Sequence, residues 1–377
     1  MQFIKLLFTA YSQAITSFFY IAIVLVVYFE IQRNAQLEES WLGIIRNPVT
    51  TKLYYVILYG LLGGLVASSI ILIFRIAIDY QVMLSIWSLS LFLSLFNQRY
   101  LCLSYSVGII SLVSLIFGWS KVNVPSLIVV VGILHLVESI LILIDGTRDI
   151  IPVYIEHSRF TPAGAYIMSK MWPVPLVTLL TTGQITFPIV AVLIYEDEAI
   201  TQIPLKRARE SSFWIASYGL VILILAMISY RVRWMAYIAA LATLFLHELL
   251  FILNRRGQRR GEPAFAAPWR GIRVLEALPE SIGERMGIKR GDIILTVNGK
   301  QVNSEAMLGE ILESFPSLIW MDVLRNDNET VELEYKDYGD GISDLGIILV
   351  PRTTGKFYLF DQHTGLLSRI WGKYISK

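Results

Sequence analysis

The chain is short of charge and nearly without cysteine. Charged residues are 16% of its 377 positions, against roughly 25% in an average soluble domain. With 55% apolar residues, this excludes disorder, collagen and an ordinary soluble enzyme. The net charge of +2 is too balanced for a nucleic-acid binder, which needs a concentrated basic surface. The single cysteine, Cys102, is read as excluding an intrachain disulfide and any cysteine-based zinc site. Catalytic signatures are missing too. There is no Gly-x-Ser-x-Gly elbow and no Gly-x-x-x-x-Gly-Lys-Ser/Thr phosphate loop, so neither that hydrolase chemistry nor an ATPase is expected. No cofactor and no metal are expected.

The charges that are present are unevenly spread. Residues 1–253 hold 15 Lys+Arg and 13 Asp+Glu, about 11% of that stretch; residues 254–377 hold 17 and 17, about 27%. The first stretch has the composition of a membrane domain and the second that of a water-soluble one. Between them, residues 254–264 carry Arg255, Arg256, Arg259 and Arg260, then Gly261 and Pro263. These read as a basic membrane-surface anchor and a hinge. The expected organisation is therefore a polytopic domain over 1–253, a linker over 254–264, a folded domain over 265–351 and an extension over 352–377.

A helix crossing about 30 Å of hydrocarbon needs about 20 apolar residues. Eight stretches qualify, at about 7–29, 53–76, 80–96, 99–118, 124–144, 172–195, 213–230 and 233–253, with six to eight spans possible. Only Asn97-Gln98-Arg99 separates the third from the fourth, which suggests a tight hairpin or one re-entrant unit. Gly63-Gly64 and Trp172-Pro173-Val174-Pro175 are candidate helix breaks. The four arginines after the last stretch place its end in the cytoplasm. With eight spans, Lys206-Arg207-Ala208-Arg209 is also inside. The loops holding Arg33, Arg46 and Lys52, and Arg148, Arg159 and Lys170, then fall outside, against the bias.

Ionisable groups within apolar runs are costly and mark candidate sites. His135, Glu138 and Asp145 fall on one helical stripe, and His247-Glu248 lies in the last stretch. Hydrogen bonding across the bundle is the expected role, with an ion path or metal site as the alternative. His247-Glu248-Leu249-Leu250-Phe251 is one ligand short of the His-Glu-x-x-His zinc motif, since phenylalanine binds no metal. At most it is a degenerate intramembrane metalloprotease motif.

The soluble part reads as short strands and two helices. Gly271–Leu275, Asp292–Val297, about 318–325, about 330–335 and Asp344–Val350 are strands. Asn298-Gly299 is a hairpin turn, and Ser304 caps a helix running to about Phe315. The run Gly287-Ile288-Lys289-Arg290-Gly291-Asp292-Ile293-Ile294-Leu295-Thr296-Val297-Asn298-Gly299 closely resembles a bacterial PDZ domain. That family binds a peptide as an added strand beside a helix. The resemblance implies a capture loop and groove strand at Leu345, Gly346, Ile347 and Ile348. It also implies a groove helix presenting Met307 and Ile311, with Leu308, Leu312 and Phe315 facing the core.

A polytopic domain ending in one PDZ domain, together with His135-Leu136-Val137-Glu138-Ser139, Leu143-Ile144-Asp145-Gly146 and Trp172-Pro173-Val174-Pro175-Leu176, resembles the MinJ-like cell-division topological determinants. The fold implied is a helical membrane bundle followed by a small α/β PDZ domain, a β-sandwich or barrel with two helices. The function implied is a non-enzymatic scaffold of the multi-pass bacterial cell membrane. It would be enriched at septum and poles, with its PDZ domain in the cytoplasm. Its partners would be a DivIVA-like protein, a MinD-like ATPase that recruits the MinC inhibitor of FtsZ rings, a peptide in the PDZ groove and the lipid bilayer, with no nucleic acid. A PDZ-containing regulator of a protease or transporter would share these features.

Overall fold

The computed structural model describes residues 2–157, 159–180, 186–326 and 328–358. A helical membrane region precedes a PDZ-like β domain. The chain opens with α1 (Gln2–Thr16) and α2 (Phe18–Leu42), so the first expected span is two helices parted at Ser17. Ser17 caps α2 by accepting from the Tyr20 N–H at 3.2 Å, and Gly43, at φ +73°, ends it. α3 (Val49–Ile73) runs unbroken through Gly63-Gly64. Then come β1 (Ala77–Ile78), α4 (Tyr80–Ser94), a 3-10 turn at Gln98–Leu101, α5 (Leu103–Phe117) and α6 (Val124–Asp145).

Among the described residues five helices are long and apolar enough to cross a membrane: α2, α3, α6 and the two that follow the sheet, α7 (Pro204–Ser229) and α8 (Met235–Arg260). α4 and α5 have 15 residues each, about 22 Å of helix, too short for a full crossing. Lys121, just beyond α5, bonds Gln81 at the start of α4 at 2.7 Å. The two helices thus begin and end at one side and turn at Cys102. This is the re-entrant unit.

The sixth expected span, 172–195, is not a helix. After β2 (Ile151–Ile155) the chain forms a long hairpin of β3 (Ala163–Leu180) and β4 (Thr186–Ala199). Prolines explain the choice. Pro173 and Pro175 would each leave a helix short of a hydrogen bond and clash with the preceding turn. In β3 their carbonyls face α3, away from β4. The absent N–H groups therefore cost the β3–β4 ladder nothing. Val177, next on that edge, donates its N–H to Ser68 Oγ at 3.0 Å. Gly60, Gly64 and Ser68 lie at successive turns of α3. A Cβ on Gly60 or Gly64 would collide with the Pro173 or Pro175 carbonyl oxygen. These small residues let α3 cover the strand edge closely, as small stripes do between membrane helices.

The hairpin returns to the side it left, so the crossing count drops and the parity of the loops changes. The loop after α2, the loop after α6 and the soluble domain share one end of the molecule. Arg46 bonds the Ile150 carbonyl and sits 3.5 Å from Glu276 of the soluble domain. Arg46, Lys52, Arg148 and Lys170, placed opposite by the eight-span count, lie with Arg255–Arg260. Arg75, Lys121, Arg231 and Arg233 flank the helices at the far end.

α8 extends to Arg260, so the expected basic hinge begins as helix. β5 (Phe265–Ala266) pairs with β3 and ties the connection to the membrane region. The soluble domain follows with β6 (Ile272–Ala277), α9 (Ile282–Arg285), β7 (Ile293–Val297), β8 (Lys300–Gln301), α10 (Glu305–Leu312), β9 (Leu318–Leu324), β10 (Thr330–Lys336) and β11 (Ile347–Leu349). Its sheet order is β10-β9-β7-β6-β11, with β8 beside β7. Asn298 and Gly299, at φ +49° and +75°, make the tight turn between β7 and β8. Val274, Ile294, Val297, Val302, Ile319 and Met321 centre its core.

Candidate functional site

β11 is the edge strand of the PDZ sheet. One edge pairs antiparallel with β6; among the described residues no strand pairs with the other. Before it, Gly346 takes φ +61°, a region glycine enters freely. A Cβ there would lie 2.5 Å from Ser281 Cβ, so the turn requires glycine for its own packing. Gly346 O accepts from the Leu278 N–H at 2.8 Å, and Leu345 O from the Gly283 N–H at 2.7 Å. The Gly346 N–H, the group expected to catch a peptide carboxylate, donates to Asp344 Oδ1 at 2.9 Å.

The expected groove residues divide. Leu345 is buried and Ile347 packs on the PDZ core, whereas Ile348 packs on the core of the membrane region. On α10, capped by Ser304 Oγ through the Met307 N–H at 3.3 Å, Met307 is exposed and Ile311 half-buried; Leu308 and Leu312 enter the core. Phe315 does not. It sits past the helix end at φ +47° and is 59% exposed, because Leu308 and Leu312 already fill that side.

The PDZ domain is seated on the membrane region. Tyr154 donates to Leu349 O at 2.7 Å, and Tyr166 donates to Leu275 O. Arg46 lies between two carboxylates, with Nε 2.6 Å from Glu38 and Nη1 3.5 Å from Glu276. Lys52 also pairs with Glu38, and Arg290 with Glu276 at 2.8 Å. Tyr358 donates its N–H to Tyr154 O and packs near Trp41. Residues 359–377 of the expected C-terminal extension lie outside the described residues.

Of the anchor arginines, Arg256, Arg259 and Arg260 are exposed. Arg259 reaches Glu198 at 3.3 Å, and Arg255 lies over the Phe251 ring at 5.9 Å. All four lie in the last turns of α8, with Arg255 half-buried.

The intramembrane groups also divide. Asp145 belongs to the end near the PDZ domain, where it bonds Arg148 at 3.0 Å, Trp172 Nε1 at 3.0 Å and Lys170 at 3.6 Å. His135 and His247 converge mid-bundle, and the residue that joins them is Cys102, set aside on sequence grounds. Cys102 Sγ is 3.5 Å from His135 Nε2 and 3.5 Å from His247 Nε2. Ser104 Oγ is 3.3 Å from the His135 nitrogen, and Glu138 Oε2 is 3.9 Å from it. Glu248 joins through Tyr105, which donates to its carboxylate at 2.7 Å and faces His247 Nδ1 at 3.2 Å. Arg99 pairs with Glu248 at 3.1 Å. Cys102, His135, Glu138 and His247 line a cavity of about 830 Å³. Cys102, His135 and His247 are far apart in the chain. No spacing rule links them, and only the re-entrant turn carries the thiol to mid-bundle.

A bundle of membrane-spanning helices followed by a PDZ domain defines a polytopic membrane protein with a C-terminal peptide-binding module. The PDZ domain family model matches residues 273–325. Nearly the whole chain is similar to the probable cell division topological determinants MinJ of Lacticaseibacillus paracasei and Lacticaseibacillus casei. Each is 22% identical over 358 residues, covering 89% of this chain and 96% of the relative. The resemblance read from domain order and membrane segments therefore stands. A probable periplasmic serine protease do/HhoA-like of Haemophilus influenzae is 32% identical over 59 residues, 16% of this chain and 13% of that protein, within the PDZ part. The PDZ domain of an SdrC-like protein from Listeria monocytogenes aligns with 22% of this chain and 90% of its own. Its identity is 16% and its TM-score 0.19.

Proposed function

We propose that the chain is a non-enzymatic membrane scaffold for division-site selection, bridging a DivIVA-like protein to a MinD-like ATPase and so to the MinC inhibitor of FtsZ ring assembly. The observation that carries this reading is similarity to MinJ over 89% of a chain whose PDZ sheet ends in β11, one edge of which meets no strand among the described residues. An extended segment adding to β11 would gain a few backbone hydrogen bonds, each about 0.5–1.5 kcal/mol net. One or two side chains buried beside Met307 and Ile311 would add about 1.5–3 kcal/mol each. After the cost of ordering the peptide, micromolar affinity is expected.

We infer that the PDZ domain lies in the cytoplasm. The distribution of basic residues supports this: Arg46, Lys52, Arg148, Lys170 and Arg255–Arg260 lie at the PDZ end, against Arg75, Lys121, Arg231 and Arg233 at the other. The four arginines of α8 also favour anionic inner-leaflet lipid.

Full-length protein in membranes, used as bait against purified DivIVA-like and MinD-like proteins, tests the bridge. Recovery of both in one complex is expected, with Met307→Asp releasing at least one. Failure to retain either by wild type overturns the scaffold reading. An alkaline phosphatase fused after Lys377 should be inactive; strong activity overturns the orientation.

A further inference from the structure

We propose that Cys102, His135 and His247 form a zinc-binding site at mid-bundle that fastens the re-entrant turn to α6 and α8. The three donor atoms lie within 4.8 Å of one another. Zinc–sulfur and zinc–nitrogen bonds of about 2.3 Å and 2.0–2.1 Å at tetrahedral angles set sulfur and nitrogen about 3.5 Å apart. Both Sγ–Nε2 distances are 3.5 Å.

The surrounding hydrogen bonds prepare the same atoms. His135 Nδ1 lies 2.8 Å from Val131 O, an acceptor only, so Nδ1 carries the proton and Nε2 offers its lone pair. Tyr105 donates its own proton to Glu248, so its oxygen accepts from His247 Nδ1–H and leaves that Nε2 free as well. Metal-binding histidines are oriented in this way by a carbonyl on one ring and a carboxylate relay on the other. Cys102, His135 and His247 line the cavity, and the nearest side-chain oxygens to His135 Nε2 are Ser104 Oγ at 3.3 Å and Glu138 Oε2 at 3.9 Å. The cavity reaches Glu196, Glu198 and Gln258 toward the PDZ end, which supplies an access route. Binding is a ligand exchange without electron transfer. The Cys102 S–H bond breaks, the sulfur pair forms the metal bond, and the proton leaves to solvent.

The test uses full-length protein in detergent, without a histidine tag, equilibrated with chelator-buffered zinc. One zinc per chain is expected by elemental analysis. Tyr105→Phe, which removes only the support of His247, should weaken affinity about tenfold, and Cys102→Ser should abolish stoichiometric binding. Because Cys102 is the only cysteine, its alkylation by a maleimide reads the site in the unaltered chain. Zinc should slow labelling at least tenfold, and a chelator should restore it. Cobalt(II) in place of zinc should show a thiolate charge-transfer band. Labelling that ignores zinc, or equal zinc content in wild type and Cys102→Ser, overturns the proposal. Since the alkylation assay needs no variant, a misfolded Cys102→Ser does not spare the proposal.

Discussion

Replacing Arg46 by methionine is expected to loosen the seat of the PDZ domain. The guanidinium is 9% exposed, and its two carboxylate partners, Glu38 and Glu276, are 0% and 6% exposed. Breaking a buried ion pair by removing one partner costs about 3–5 kcal/mol, because the remaining charge is left uncompensated. Here each carboxylate keeps a second cation, Lys52 for Glu38 and Arg290 for Glu276. Glu38 and the Ile150 carbonyl belong to the membrane region, so only the 3.5 Å contact with Glu276 crosses the junction, and losing one such charge-assisted contact costs about 1.5 kcal/mol. Methionine keeps much of the stem's packing, so the loss is mainly electrostatic. At 1.4 kcal/mol per decade, about 1.5 kcal/mol is roughly a tenfold rise in the undocked population. The strand pairing of β5 with β3 reports it directly, since Ala163 and Gly164 face Ala266 and Phe265 across the junction. Hydrogen exchange of peptides covering 261–268 should accelerate roughly tenfold, while β9 and β10, within the PDZ sheet, keep their protection. In a Glu276→Met background the same substitution should cost less, since the two sites share one interaction. Unchanged exchange at 261–268 in Arg46→Met, within about twofold, would refute the reasoning.

Gly64→Leu should destabilise the membrane region by at least about 1–3 kcal/mol through overpacking against the Pro175 carbonyl, read as a lower thermal midpoint in detergent. A neutral Gly64→Leu would mean that residues 172–180 do not lie against α3. Asp344→Ala should strengthen binding of peptides with a free C-terminal carboxylate about fivefold. It frees the Gly346 N–H and removes a like charge worth about 1 kcal/mol near 4 Å in water; amidated peptides should show no such gain. Burial pushes the Asp149 carboxyl up, but Lys170, the Asn47 amide and Lys52 outweigh it and hold the carboxyl below its ordinary value. A depressed folded-state value gives stability that is present above the unfolded value of about 3.9 and is lost as pH falls further. Unfolding measured from pH 5 down to pH 2 should show that loss, and Asp149→Asn should flatten it. An equally steep curve in the variant would assign the acid sensitivity elsewhere.

Local composition was enough for the division into an apolar helical region and a charged, PDZ-like domain. Burial preference and turn chemistry act residue by residue, and Asn298-Gly299, the Gly287–Val297 run and the Ser304 cap each carry their geometry locally. The re-entrant turn was legible only as one of two readings, since Asn97-Gln98-Arg99 alone separates the stretches at about 80–96 and 99–118; the 15-residue helices that decide it belong to the structure. The strand character of 172–195 was not legible from hydropathy, because a hairpin buried among helices is as apolar as a membrane span. The prolines at 173 and 175 were visible as helix breakers. That their missing N–H groups face α3 depends on Gly60, Gly64 and Ser68, more than a hundred positions away. Loop sidedness followed that one assignment, so Arg46, Lys52, Arg148 and Lys170 changed sides together. The Cys102–His135–His247 cluster belongs wholly to tertiary structure. Of the one thiol and four imidazoles in the sequence, His135 and His247 stood out only as ionisable groups within apolar runs, and no spacing linked either to Cys102. Only the packing of α5, α6 and α8 brings the three donor atoms within bonding range of one ion.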